Sequence, residues 1–308
     1  MKKLLALCLI FSIISCNDQP IIDDSYLDGE LIFDASTYNQ AEYLTSYSNP
    51  NPTDSEKDKP VFIACHGYSA TTFEWSEFKE WTGETDSYYI SQVLLGGHGS
   101  NYEDFKSSSW LDWQNSITEE YERLVTIGYT NINLLTSSTS CTLILELLSR
   151  DYFSNTIAPK NIYLVDPLVI PSDKTLPLIG LIGPMLGYVE SANTAEEDNY
   201  WYHFRPQETL QELYTISKIA RKALEEGIKL PVGCSLKVYK SIQDPTTDPV
   251  GAVLIYNGIR TFNNTHIDVE MVSSDLHVYT RLSFRESISE IDDENQLNSF
   301  TDFVERLN

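Results

Sequence analysis

Apolar residues in this chain gather into short runs separated by stretches with helical spacing, and the pattern begins abruptly at residue 60. Val61-Phe62-Ile63-Ala64 is the first run, and Tyr89 to Leu95, Ile132 to Thr136, Ile162 to Val165, Leu236 to Ile242 and Ile267 to Val272 are further strand candidates. A continuous apolar run of this length predicts a strand buried on both faces. Between the runs the period changes. Trp110, Trp113, Ile117, Tyr121 and Leu124 recur at three or four residues; Leu143, Leu147 and Leu148, then Leu210, Leu213, Ile216 and Ala220, mark two more apolar stripes. Each stripe suits a helix that packs one face on a sheet. Strands alternating with helices predict an α/β fold with a mostly parallel central sheet covered by helices on both faces.

The chain before residue 60 reads differently. From Asn17 to Asp58 it is rich in Asp, Asn, Pro, Ser and Tyr, and Glu30-Leu31-Ile32-Phe33 is the only strand candidate. Residues 16–58 therefore read as a tether merging into peripheral structure, with the folded domain at 59–308. At the start, Lys2 and Lys3 precede an apolar run from Leu4 to Ile14, then Ser15-Cys16. This is a charged region, an apolar core too short to span a bilayer, and a small residue at a cleavage position, which predicts an export signal over residues 1–15. Ile13-Ile14-Ser15-Cys16 also resembles a bacterial lipobox. That resemblance implies lipid on Cys16 and a protein anchored to a membrane of the bacterial cell envelope. An ordinary signal peptide or a buried N-terminal helix is the alternative.

Composition removes some partners. A formal charge of −24 excludes nucleic acid, whose phosphates are held by Lys and Arg clusters, and 42% hydrophobic with 12% aromatic residues excludes a disordered chain. Of five cysteines, Cys8 lies in the leader and Cys16 at the lipidation position. Cys65, Cys141 and Cys234 remain, an odd number without metal-ligand spacing. A Cys65–Cys141 bridge needs neighbouring strands; otherwise these are three small buried thiols.

Three glycine and aromatic motifs then recur in a fixed order. The first strand runs into Cys65-His66-Gly67-Tyr68; Gly96-Gly97-His98-Gly99 follows the second; Trp110-Leu111-Asp112-Trp113 opens the next helix. Together they resemble the opening of α/β-hydrolase-fold carboxylesterases and monoacylglycerol lipase-like enzymes, and the order of motifs stays similar from residue 60 to the C-terminus. The resemblance implies an α/β-hydrolase fold, a cap inserted over the site at about residues 167–230, and a serine, histidine and acid working as a unit. It implies no metal and no cofactor.

A serine hydroxyl attacks a carbonyl only when a base takes its proton, and a tight strand-to-helix turn presents it to both. Thr136-Ser137-Ser138-Thr139-Ser140 follows a strand and precedes a helix, which makes Ser138 the candidate nucleophile. Thr136 and Ser140 stand where the family has the glycines of Gly-x-Ser-x-Gly. Ser137 is the second candidate, and a plain Ser/Thr-rich turn capping the helix is the non-catalytic reading. Among five histidines only His277 follows the last strand, where the fold places its base; His66 belongs to the first glycine loop and reads as structural. Asp244, in Gln243-Asp244-Pro245-Thr246-Thr247-Asp248-Pro249, is the candidate acid, with Asp248 and Asp166 as rivals. By resemblance, the backbone N–H groups of Tyr68 and Thr139 form the oxyanion hole.

Leu176 to Gly187 is an apolar, Gly- and Pro-broken stretch that suits an acyl pocket or ordinary core, and Trp201 to Phe204 suits an aromatic wall. These features predict a serine esterase acting on a small-molecule ester, lipid-like esters included. A binding protein that kept the fold without the activity is the alternative.

Overall fold

The computed structural model describes residues 19–23, 25–29, 38–83, 85–179, 183 and 186–307. The expected export signal, Cys16 and the strand candidate Glu30 to Phe33 lie outside the described residues, as does part of Leu176 to Gly187.

Six strands form one sheet: β1 (Val61–Cys65), β2 (Tyr89–Val93), β3 (Ile132–Ser137), β4 (Asn161–Val165), β5 (Ser235–Ser241) and β6 (Asp268–Val272). Their spatial order is β6-β5-β4-β3-β1-β2, and every pair is parallel. A parallel sheet brings all strand C-termini to one edge, so the loops that follow β1, β3, β5 and β6 meet there.

Strand periodicity divides the core in two. Val61, Ile63, Ile132, Leu134, Ile162, Leu164, Leu236 and Val238 face one layer; Phe62, Ala64, Leu135, Tyr163, Val165 and Tyr239 face the other. The first layer holds α2 (Trp110–Ile127), α3 (Thr139–Ser149), α4 (Gln207–Glu226) and α5 (Val250–Gly258). The second holds α1 (Ser76–Thr82) and α6 (Glu290–Glu305), whose Phe78, Phe300 and Phe303 pack with Trp75. Each such fully buried aromatic contributes roughly 1.5–3 kcal/mol by leaving water.

Helix α2 shows how the local sequence sets an element. Ser109 and Asp112 close a capping box at its start, with the Ser109 N–H donating to Asp112 Oδ2 at 2.8 Å. Trp113, Ile117, Tyr121 and Leu124 are buried, as their spacing predicts. Gly128, at φ 107°, ends the helix in a conformation that strains any residue with a Cβ.

Between β4 and α4 the chain leaves the sheet edge and returns. Residues 167–206 carry a two-stranded antiparallel ribbon, Tyr188–Glu190 against Phe204–Pro206, with Val189 opposite Arg205. The expected cap extends to about residue 230, but α4 lies in the helical layer: Leu210, Leu213, Ile216 and Ala220 are buried in the core with α3 and α5. The overhang thus ends at residue 206, because the apolar stripe of α4 requires burial against the sheet's helices.

Much of the expected tether is docked. Leu27 is buried, its N–H donates to the Asp198 carbonyl at 2.7 Å, and Asp28 accepts the N–H groups of His203 (2.7 Å) and Phe204 (2.9 Å). Tyr26 stacks on His203 with ring centroids 4.4 Å apart. Farther on, Tyr43 and Leu44 join the core, and the Thr45 N–H donates to Ser91 Oγ at 3.1 Å. Residues 25–29 therefore fasten the overhang from outside, and residues 38–58 pack along β2 and α2. Cys65, Cys141 and Cys234 are buried free thiols, so the bridge that neighbouring elements could have carried is not formed.

Candidate active site

Ser138 stands between the last residue of β3 and the first of α3, at φ 51° and ψ −112°. A side chain held at positive φ is strained, and the surrounding bonds hold it there: the Ser138 N–H donates to the Val165 carbonyl at 2.9 Å, and the Ser138 carbonyl accepts the Leu168 N–H at 3.1 Å. Its hydroxyl makes no capping bond to the helix. It meets His277 instead.

The two hydroxyl residues at the glycine positions are built into the turn. Ser140 Oγ donates to the Cys65 carbonyl at 2.8 Å and accepts the Ser137 N–H at 3.0 Å; Thr136 Oγ1 donates to the Tyr163 carbonyl at 2.9 Å. Small side chains with a hydrogen-bonding tip thus replace glycine without leaving a polar atom unmatched. Ser137, the second candidate, is fully buried and its hydroxyl is bound to the Glu74 carboxylate and the Cys65 carbonyl, away from the cavity.

His277 follows β6, and its ring joins the other two candidates. Nδ1 lies 2.9 Å from Asp244 Oδ2 and Nε2 lies 2.8 Å from Ser138 Oγ. A carboxylate at Nδ1 requires the proton there, which leaves Nε2 free to accept from the serine hydroxyl. The His277 carbonyl accepts from Arg285 Nη2, fixing the loop behind the ring.

Asp244 is buried at the end of β5. Its Oδ1 accepts the N–H groups of Thr246 (2.7 Å) and Thr247 (3.0 Å); Oδ2 takes Thr247 Oγ1 (2.6 Å), Lys240 Nζ (2.5 Å) and His277. Burial pushes this carboxyl up, but His277 and Lys240, by charge and hydrogen bond, overcome it and hold the group well below the usual carboxylate range. Asp248, the first rival, accepts the Val250 N–H at 3.0 Å at the start of α5, a capping role. Asp166, the second, binds Ser241 (N–H, 2.7 Å; Oγ, 3.0 Å), Lys240 Nζ (2.9 Å) and the Tyr279 N–H (3.4 Å). Among the described residues it makes no hydrogen bond to the His277 ring.

Asp166, Asp244 and His277 offer ligand atoms within 4.8 Å of one another. The set does not suit a metal ion, since the fully buried ammonium of Lys240 already lies against both carboxylates and Nδ1 of His277 is bound to Asp244.

The first glycine loop lies across the serine. A Cβ on Gly67 would stand 2.9 Å from Ser138 Cβ, so only glycine lets β1's loop approach this closely. The Gly67 N–H donates to Glu74 Oε1 at 2.8 Å. Tyr68 turns its hydroxyl to Thr209 Oγ1 at 2.7 Å, and its own N–H has no partner among the described residues. Thr139 opens α3, where the N–H is outside the helix ladder. Both residues border the cavity beside Ser138. His66 is buried, accepts the Leu95 N–H at Nε2 (3.0 Å) and donates from Nδ1 to the Gly67 carbonyl (2.8 Å). Burial lowers its pKa to about 4, so it stays neutral and holds the loop.

The cavity over Ser138 has a volume of about 490 Å³. Leu168, Leu176, Leu210 and Leu213 form an apolar side; Arg205, Arg281, Arg285 and Glu197 stand in the remaining wall. Of the expected aromatic wall only Trp201 reaches the cavity. Tyr202 is bound to the Gly97 and Asn101 carbonyls, His203 to Asp198, and Phe204, a residue of the ribbon, is buried. The sequence reading missed Glu74, Lys240 and the arginines. Lys240 carried a usable signal, because a lysine inside a strand buried on both faces demands a buried counter-charge.

This sheet, its helical layers and its edge loops form an α/β-hydrolase fold. Solved structures similar to it include one of the metagenome-derived lipolytic enzymes LipS and LipT, with a TM-score of 0.65 at 18% identity over 81% of this chain and 94% of that one. The monoacylglycerol lipase of Paleococcus ferrophilus gives 0.62 at 12% identity, over 81% and 96%. A soluble variant of the Saccharomyces cerevisiae monoglyceride lipase, solved with a substrate analogue, gives 0.61 at 10% identity, over 84% and 88%. At these identities the likeness establishes the fold alone. No family model and no curated protein matches the chain.

Proposed function

We propose that this protein is a serine hydrolase that cleaves carboxylic esters through an acyl-enzyme on Ser138. The observation that carries this reading is the unbroken chain from Ser138 Oγ through His277 to Asp244, at the floor of a cavity with an apolar side. Ser138 attacks the ester carbonyl carbon while its proton passes to His277 Nε2. Asp244 stabilises the imidazolium that forms. The N–H groups of Tyr68 and Thr139 face the developing oxyanion, and such donors contribute about 3 kcal/mol each where they have been removed one at a time. Collapse breaks the C–O bond, and His277 gives its proton to the departing alkoxide. Water, deprotonated by His277, then attacks the acyl carbon and releases the acid and Ser138.

The test is covalent labelling with a fluorophosphonate, which reacts quickly only with an activated serine. Wild-type protein is expected to be labelled on Ser138 and to turn over short nitrophenyl esters; Ser138→Ala is expected to lose both while melting at the same temperature. An unlabelled, folded wild type would favour a binding protein of the same fold.

We also propose export and attachment to a bacterial membrane through lipid on Cys16. Among the described residues no helix is long and apolar enough to cross a membrane. Cys16→Ser is expected to move the protein from the membrane to the soluble fraction, and unchanged membrane recovery would reject the anchor.

A further inference from the structure

The wall of the active-site cavity contains three of the chain's eight arginines, in a molecule whose net charge is −24. Two of them have visible structural work. Arg281 stacks over Trp201 at 4.3 Å, pairs with Glu197 Oε1 at 2.5 Å and donates to the Ser283 carbonyl at 2.8 Å. Arg285 donates to the carbonyls of His277 and Arg281. Arg205 differs. Its Nη2 donates to Ser191 Oγ at 2.8 Å and its Nε, like that of Arg281, is buried without a partner, but unlike Arg281 it has no carboxylate within ion-pair range among the described residues. Burial lowers its pKa from the usual arginine value. A guanidinium with one arm tethered and its Nε buried without a partner is costly unless something anionic completes it.

The acidic groups facing this cavity do not complete it. Glu197 acts on Arg205 by charge but makes its ion pair with Arg281, Glu74 is committed to the Gly67 N–H and the Ser137 hydroxyl, and exposed Asp173 to Thr175. Leu168, Leu176, Leu210 and Leu213 line the same cavity. The cavity therefore offers an ester one apolar side and one cationic corner.

We infer that the ester substrate bears an oxyanion, a carboxylate or a phosphate-type group, that is seated on Arg205 at the ribbon of the overhang. This deepens the esterase reading and rests on it for the identity of the bond cleaved. Tethering through Ser191 aims the fork, so the anion takes two parallel N–H bonds rather than a diffuse attraction.

The experiment compares esters that differ only by the charge. On the acyl side these are mono-(4-nitrophenyl) glutarate, its phosphonate-ended analogue and neutral 4-nitrophenyl hexanoate; on the alcohol side, 4-carboxyphenyl hexanoate and 4-methylphenyl hexanoate. For at least one pair, kcat/KM of the charged over the neutral ester is expected to fall about tenfold or more on Arg205→Gln, with Arg205→Lys in between. Taking the change between variants cancels the intrinsic reactivity of each ester. The glutarate and phosphonate arms separate a carboxylate from a phosphate-type ligand. In parallel, calorimetry on Ser138→Ala protein, with and without Arg205→Gln, reads binding of the same esters without turnover. If neutral esters are cleaved and no charged pair responds to Arg205→Gln or to Arg205→Lys, the anion site is wrong and the esterase stands. If nothing is cleaved but the glutarate ester binds tenfold more weakly on Arg205→Gln, the esterase reading fails and the anion site stands; equal binding removes the site too.

Discussion

The place a Cβ would occupy on Gly67 lies 2.9 Å from the Cβ of Ser138, closer than two carbons can stand. Gly67→Ala must therefore push either the glycine loop or the serine away, and the serine, held at φ 51°, has little room to yield. We expect ester turnover and fluorophosphonate labelling to fall by about tenfold to a hundredfold, with a fall in stability of roughly 1–3 kcal/mol. Steady-state kinetics beside a thermal melt checks this, and unchanged labelling would show that the loop moves freely.

The two carboxylates at the sheet edge should separate by their effects. Asp244→Asn is expected to cut kcat by between about 10²- and 10⁴-fold, because the amide no longer holds the His277 tautomer that accepts the serine proton. Asp166→Asn, which touches backbone N–H groups of Ser241 and Tyr279, is expected to cost roughly 1–3 kcal/mol of stability and much less activity. Measuring kcat and chemical denaturation on both variants decides it, and a reversed order would make Asp166 the acid.

Lys240 is buried between Asp166 and Asp244. Replacing it by Met leaves two carboxylates facing each other in the interior without their cation. Such a loss costs about 3–5 kcal/mol, read from urea unfolding at neutral pH. A variant as stable as wild type would mean that the ammonium contributes nothing beyond its volume.

His66 gives a pH signature. Its pKa falls from 6.5 to about 4 on folding, so below 6.5 the unfolded chain takes up a proton that the folded one refuses. Its contribution is complete above pH 6.5 and is lost as pH falls toward 4, by up to about 3 kcal/mol. Buried His98 acts in the same direction. Asp28, raised to about 6 by burial, acts oppositely in that window. The useful quantity is therefore the difference between wild type and His66→Asn, whose stability should fall less steeply between pH 6.5 and 4. Parallel curves would remove the buried neutral histidine as the cause.

The sheet was legible because burial on both faces writes a local, continuous pattern, and the expected β3 and β4 agree with the observed strands to within a residue at either end. Ser138, His277 and Asp244 could be picked out because each sits just after a strand, and a parallel sheet sends all such positions to one edge. Other partners have no local pattern. Glu74 reaches the turn from a short helix 63 residues before Ser137 in the chain, and Arg205, Arg281 and Arg285 meet only because the overhang folds back over the loop after β6. That α4 packs in the helical layer has no local pattern either, since a helix stripe reveals burial but not which layer buries it.

Asp28 grips the ribbon that carries Arg205 by two consecutive backbone N–H groups. A protein trimmed to start at the first core strand would keep its sheet, its helices and its serine, yet its roof would be unlatched. Soluble versions meant for substrate screening should retain the preceding forty residues, or selectivity will be measured on an open door.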